Sequence, residues 1–224
     1  MIGNHMNQET VPTVDWDKYR YLIKMKEIMK RYSTTFFECM DAWPDEIKED
    51  IYKLYAYLRV CDEMVEGAEL KDFKQWREVI EQFYEVSDKY QFKGEWLSDF
   101  HVAMYTDLVK KEHTVKSMLE YCKGSAESVG VMMASILGCD PRAERHARAL
   151  GRAYQIINFV RDYEEDIANG YHYITDDFTL YIKLFMEDLQ IGVEGLHFIP
   201  EDLRGPILQA NQSYLEVARE TNIL

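Results

Sequence analysis

Cysteine is sparse in this chain. Cys39, Cys61, Cys122 and Cys139 form no CxxC pair, which argues against a zinc site or a disulfide framework and for a reduced, cytoplasmic setting. Long apolar runs are missing as well. The longest uncharged stretch, SVGVMMASILGC at 128–139, falls short of the roughly 20 residues that span a bilayer and is expected to be a buried core helix. The opening MIGNHM lacks the basic and apolar regions of a signal peptide. It reads as a vector-derived remnant before Met6, and residues 1–14 are expected to be disordered. Positive charge is in deficit: 26 Lys and Arg face 40 Asp and Glu, a net charge of −14. That excludes duplex nucleic acid as a natural partner, since affinity for it rests on neutralising phosphates. No Gly-rich dinucleotide loop is present, so NADPH is not suggested. With 5 prolines and 11 glycines in 224 residues, most of the chain is free of helix breakers.

What is present is helical pattern. Residues 15–224 read as one all-α domain, a single helical bundle with no convincing period-two strand. In DAWPDEIKEDIYKLYAYLRVCDEMVEG, Pro44 stands at a first helical position and Gly67 at a stop, predicting a helix over about 44–65. Asp140 as N-cap, Pro141 and Gly170 predict a second long helix over about 141–168. Further helical periodicity covers 15–31, 70–90, 96–111, 114–138, 176–190 and 206–221.

The two long helices carry the chemistry. On the first, Tyr55, Arg59, Asp62 and Glu66 share a face; on the second, Gln155, Asn158, Asp162 and Asp166 do. Like charges four residues apart destabilise a helix unless they meet water or a cation. One such stripe is commonly a solvated face. Two in a bundle can face each other and form an all-oxygen cage for a hard divalent ion, Mg2+ with Mn2+ as an alternative, bridged by a diphosphate. Such a site would neutralise charge developing on a diphosphate leaving group. The apolar and aromatic surroundings suit a hydrocarbon. Gly124, Ser125, Ala126, Ser128 and Gly130 would serve either close helix packing or a channel, and Tyr55 and Tyr57 would otherwise be core.

The stretches RYSTTFF, LYAYLRVCDEMVE, YCKGSAESVGVMMASILG and GRAYQIINFVRDYEEDIANGYHYI together resemble, in order and separation, the signature blocks of the squalene/phytoene synthase family. The resemblance runs from about Tyr32 to Thr175. It implies an all-α isoprenoid synthase that condenses two prenyl diphosphates, farnesyl or geranylgeranyl, head to head with Mg2+ through a cyclopropyl diphosphate intermediate. It implies Asp62, Glu66, Asp162 and Asp166 as metal ligands and Tyr55, Arg59 and Tyr121 at the reacting centre. Ser33, Phe36, Arg59, Gln155, Asn158 and Tyr173 would contact substrate, with Gly124, Ala126, Val129, Gly130 and Met133 walling the prenyl channel. Phytoene or dehydrosqualene is favoured over squalene as product.

The sequence departs from the family pattern at Glu63 and Glu66, where aspartates are usual, at Tyr171 in place of an arginine, and at Thr175 in place of a proline. These departures keep two alternatives in view, a class I terpene synthase and a non-catalytic relative acting as an assembly or binding factor. The family also commonly extends beyond the helix at 206–221. Ile207, Leu208, Tyr214, Leu215 and Val217 are therefore expected to form an incompletely covered apolar face, predicting either a homodimer or an enzyme that leaks prenyl alcohols. Peripheral membrane contact is also expected, because an oily product must leave.

Overall fold

The computed structural model describes residues 24–31, 33–65 and 73–221. The expectations for residues 1–14 and for Glu66 fall outside the described residues. Eleven α-helices occur among the described residues: α1 (24–31), α2 (Thr34–Cys39), α3 (Asp45–Val65), α4 (Phe73–Lys89), α5 (Gly94–Val109), α6 (Val115–Cys122), α7 (Ser128–Ile136), α8 (Glu144–Arg161), α9 (Tyr163–Ala168), α10 (Phe178–Glu194) and α11 (Arg204–Glu220). There are no strands among them, only one isolated parallel bridge between Glu112 and His172.

α8 is the central element, packing against α10, α7 and α11. Its buried residues Ala149, Ala153, Ile156, Ile157 and Val160 carry the core. On one flank Arg152 donates to Asp188 of α10 and to Glu127 ahead of α7. The guanidinium fork thereby satisfies two largely buried carboxylates that would otherwise be costly. α3 packs on α4 and α5, with Tyr57 stacked on Phe83 at 3.7 Å.

Two long elements expected from periodicity are interrupted. The 114–138 helix widens into a π-turn at Lys123–Glu127. There Gly124 is pressed on α5 so closely that a Cβ would collide with the Asp99 carbonyl and the Ala103 side chain. Ser128 returns its hydroxyl to the Gly124 carbonyl, satisfying a group left over by the altered ladder. The 141–168 helix begins as a 3-10 turn at Pro141–Ala143 and breaks at Asp162, where φ is −94° and ψ 10°. The break falls at the start of the densest acidic run, Asp162, Glu164, Glu165 and Asp166. Gly170, at φ +83°, closes α9 in the left-handed region.

The C-terminal face also differs from expectation. Ile207 and Tyr214 of α11 are buried within the chain, Leu215 and Val217 are partly buried, and only Leu208 is exposed. α2 and α8 supply the cover, so this face needs no second copy to shield it.

Candidate active site

A cavity of about 480 Å³ runs between α3, α7, α8 and α11. Its lining residues on α8 run from His146 to Arg161 with Asp162 just beyond, so at 1.5 Å per residue it follows the helix for roughly 24 Å. The far end is apolar, with Met133, Leu137, Leu196, Ile199 and Ile207. The near end holds Asp62, Asp107, Asp162 and Asp166.

Helical spacing explains the convergence. From α3, Tyr55, Leu58, Arg59, Asp62 and Val65 all reach the cavity from one helix face; from α8, Gly151, Tyr154, Gln155 and Asn158 do so, with Asp162 at its C-terminal end. Ser33 and Phe36 enter from the α2 side, and Phe36 stacks on Tyr55 at 5.8 Å. Ala126, Val129, Gly130 and Met133 line the wall formed by the π-turn and α7, while Tyr121 and Tyr173 close the acidic end. Gly124 does not line the cavity. It faces α5, where the lack of a side chain permits close packing.

The arginines sit on the carboxylates. Arg59 pairs with Asp62, and Arg161 clamps Asp162 with Nε at 2.7 Å and Nη2 at 2.6 Å, its Nη1 reaching Thr35 at 3.3 Å. Asp166 has a different environment. Burial, then the negative charge of Asp162 and Glu165, pushes its carboxyl up to about 7 against the opposing charge of Arg161. Asn158 Oδ1 is buried without a hydrogen-bond partner among the described residues. Nearby, burial raises the Tyr214 phenol to about 12 against the opposing influence of Arg161 and an Asn158 hydrogen bond.

The carboxylates of Asp62, Asp162 and Asp166 and the orphaned amide oxygen of Asn158 at one cavity end are the donor types a hard divalent cation takes. Glu66, one carboxylate of the four-carboxylate cage read from the two stripes, lies outside the described residues. Among the described residues no three Asp, Glu, His or Cys side chains form a metal-holding group. Mg2+ commonly completes its shell with substrate phosphates and water, so the residues fit a cation that arrives with a diphosphate.

Asp107 escaped the sequence reading. It is 4% exposed on α5, accepting the Tyr121 hydroxyl at 2.6 Å and the Tyr173 hydroxyl at 3.0 Å. Those partners lie 14 and 66 residues away, and no local spacing marks the aspartate. Tyr173 in turn stacks on Phe159 at 4.3 Å and on Tyr171 at 5.8 Å. Lys111 lies over the Tyr171 ring at 3.6 Å, placing a cation beside the position where an arginine was expected. Tyr154 was also missed: it stacks on Tyr214 at 4.2 Å and donates to Asn211 Oδ1 at 2.6 Å.

The squalene/phytoene synthase family model matches residues 29–190. The chain is 26% identical over 181 residues to the 4,4'-diapophytoene synthase of Staphylococcus haemolyticus, covering 71% of this chain and 62% of that protein. It is 28% identical over 181 residues to the phytoene synthase of Thermus thermophilus, covering 74% and 63%. It thus spans under two thirds of the length of these curated relatives. Among solved structures, a ligand-bound dehydrosqualene synthase superposes with a TM-score of 0.75 at 20% identity, covering 92% of this chain and 88% of that one. A squalene synthase from Alicyclobacillus acidocaldarius does so with a TM-score of 0.73 at 16% identity, covering 93% and 95%. With the family model matching well over half of its residues, this chain belongs to the squalene/phytoene synthase family.

Proposed function

We propose that this protein condenses two prenyl diphosphates head to head, through a cyclopropyl diphosphate intermediate, yielding a product of the phytoene or dehydrosqualene type. The observation that carries the reading is the polarity of one continuous cavity, carboxylates and arginines at one end and hydrocarbon-lined wall at the other. The relatives named for phytoene and diapophytoene synthesis support it.

Each group has a role set by its chemistry. Mg2+, held by Asp62, Asp162 and Asp166 together with Glu66, would neutralise the charge that develops on the departing diphosphate. Arg59 and Arg161 offer guanidinium forks that can pass from their carboxylates to phosphate oxygens. Ser33, Gln155 and Asn158 supply neutral hydrogen bonds to the same headgroup. Tyr55, Tyr121 and Tyr173 present aromatic faces to positive charge on the allylic carbon, and burial raises all three phenols, so they stay protonated. The apolar wall of Ala126, Val129, Gly130 and Met133 positions the chain and excludes the water that would quench a cation.

The test is incubation with labelled farnesyl and geranylgeranyl diphosphates and Mg2+, with and without NADPH, followed by product identification. A C30 or C40 coupled hydrocarbon is expected without NADPH. Cyclised product from one substrate molecule would favour a class I terpene synthase. Failure to release diphosphate at all would favour a non-catalytic binding relative.

A further inference from the structure

Lys111 is exposed on the link between α5 and α6, and among the described residues it pairs with no carboxylate, in a chain that carries 40 Asp and Glu. Its ammonium lies instead 3.6 Å from the centre of the Tyr171 ring. That ring ends a column. Tyr171 is nearly parallel to Tyr173, at 5.8 Å and 8°, and Tyr173 stacks on Phe159 at 4.3 Å and 15°. All three rings line the cavity, so the lysine caps an aromatic wall that runs to the acidic end.

Backbone bonds hold it there. The His172 N–H donates to the Lys111 carbonyl at 2.7 Å, the His113 N–H to the His172 carbonyl at 2.9 Å, and the Tyr171 N–H to the Asp166 carbonyl at 2.8 Å. Two consecutive residues thus tie the lysine's backbone to α9, which carries Asp166. With five single bonds spanning about 6 Å, the side chain can carry its ammonium from the ring toward the cavity mouth while the backbone stays in place.

Electrostatics gives the ammonium a reason to move. Arg59 and Arg161 are engaged by Asp62 and Asp162, so a diphosphate entering this end meets cations already shared with carboxylates. An exposed cation–π contact is weaker than a charge-assisted hydrogen bond to a phosphate oxygen. A cation resting on a ring is therefore given up to such a ligand more readily than one paired with a carboxylate.

We propose that Lys111 is a further diphosphate-binding residue of this site, its ammonium leaving the Tyr171 ring for a phosphate oxygen at the cavity mouth. Tyr171 is the rest position that keeps this cation off the surrounding carboxylates. The inference rests on the prenyl diphosphate reading above for its ligand, and its test does not depend on turnover.

Isothermal titration of the full chain with magnesium pyrophosphate reads the headgroup site by itself. Lys111→Met is expected to weaken binding on the order of tenfold, the loss of one charge-assisted hydrogen bond, and Lys111→Arg to keep most of the affinity, with circular dichroism unchanged in both. Lys116→Met removes the same charge from α6, where Lys116 meets Glu120 at 4.0 Å, and should bind as wild type does. With prenyl diphosphate the loss in Lys111→Met should appear in KM more than in kcat. Wild type that binds magnesium pyrophosphate with this dependence on Lys111 but makes no coupled hydrocarbon would sink the proposed reaction and keep the lysine. Undiminished binding by Lys111→Met, a loss matched by Lys116→Met, or no binding by wild type overturns the proposal.

Discussion

Tyr121 donates its hydroxyl to Asp107 Oδ2 at 2.6 Å, and the same carboxylate takes the Tyr173 hydroxyl on its other oxygen at 3.0 Å. One buried aspartate from α5 thus sets two aromatic rings at the acidic end of the cavity. Asp107→Asn keeps size but leaves one acceptor oxygen for two donors, so one tyrosine must turn. We expect kcat to fall on the order of 100-fold through misplacement of the rings, with KM changed little and the fold retained. Steady-state kinetics with circular dichroism checks this; an unchanged kcat would return the cluster to packing alone.

The Asp166 carboxyl, pushed up to about 7 from about 3.9 in an unfolded chain, binds its proton more tightly when folded. Its stabilising contribution is complete below the unfolded value and is lost as pH rises through about 7. A divalent cation must displace that proton. The rise in Tm produced by Mg2+ with diphosphate is therefore expected to be larger at pH 8 than at pH 6. Asp166→Asn should flatten that difference and stabilise the metal-free protein at pH 8. Thermal unfolding at the two pH values decides it.

Gly130 and Gly151 let α7 and α8 approach so closely that a Cβ on Gly130 would collide with the Ala147 carbonyl, and one on Gly151 with that of Ala126. Backbone carbonyls cannot swing aside as side chains can. Gly130→Ala should cost about 1–3 kcal/mol, with a matching drop in Tm. A Tm within error of wild type would mean the helices separate freely.

Met133 lies on the hydrocarbon wall of the cavity. Met133→Ala should shift the kcat/KM ratio toward geranylgeranyl over farnesyl diphosphate by roughly tenfold, the scale of a few methylenes in an apolar pocket. Competition between the two labelled substrates measures it. No change in the ratio would place the chain-length limit elsewhere on the wall.

Much of this protein is determined by local pattern. Pro44 precedes α3, Asp140 caps the 3-10 turn that leads into α8 and Gly170 closes α9, all through rules that act over a few residues, and Tyr55, Arg59 and Asp62 share a face because an α-helix repeats every 3.6 residues. Asn158 and Asp162 follow from the same arithmetic, so two acidic stripes were visible before any packing was known. Tertiary structure decided what no short spacing encodes. Asp107 becomes a hub only when α5 brings it to tyrosines 14 and 66 residues away. Gly124 turns from the channel to α5 because a π-turn rotates the chain there, and helical periodicity cannot foresee an inserted residue. Asp166 acquires its raised carboxyl from burial beside Asp162 and Glu165, since the dielectric around a charge belongs to the folded molecule and not to its neighbours in sequence.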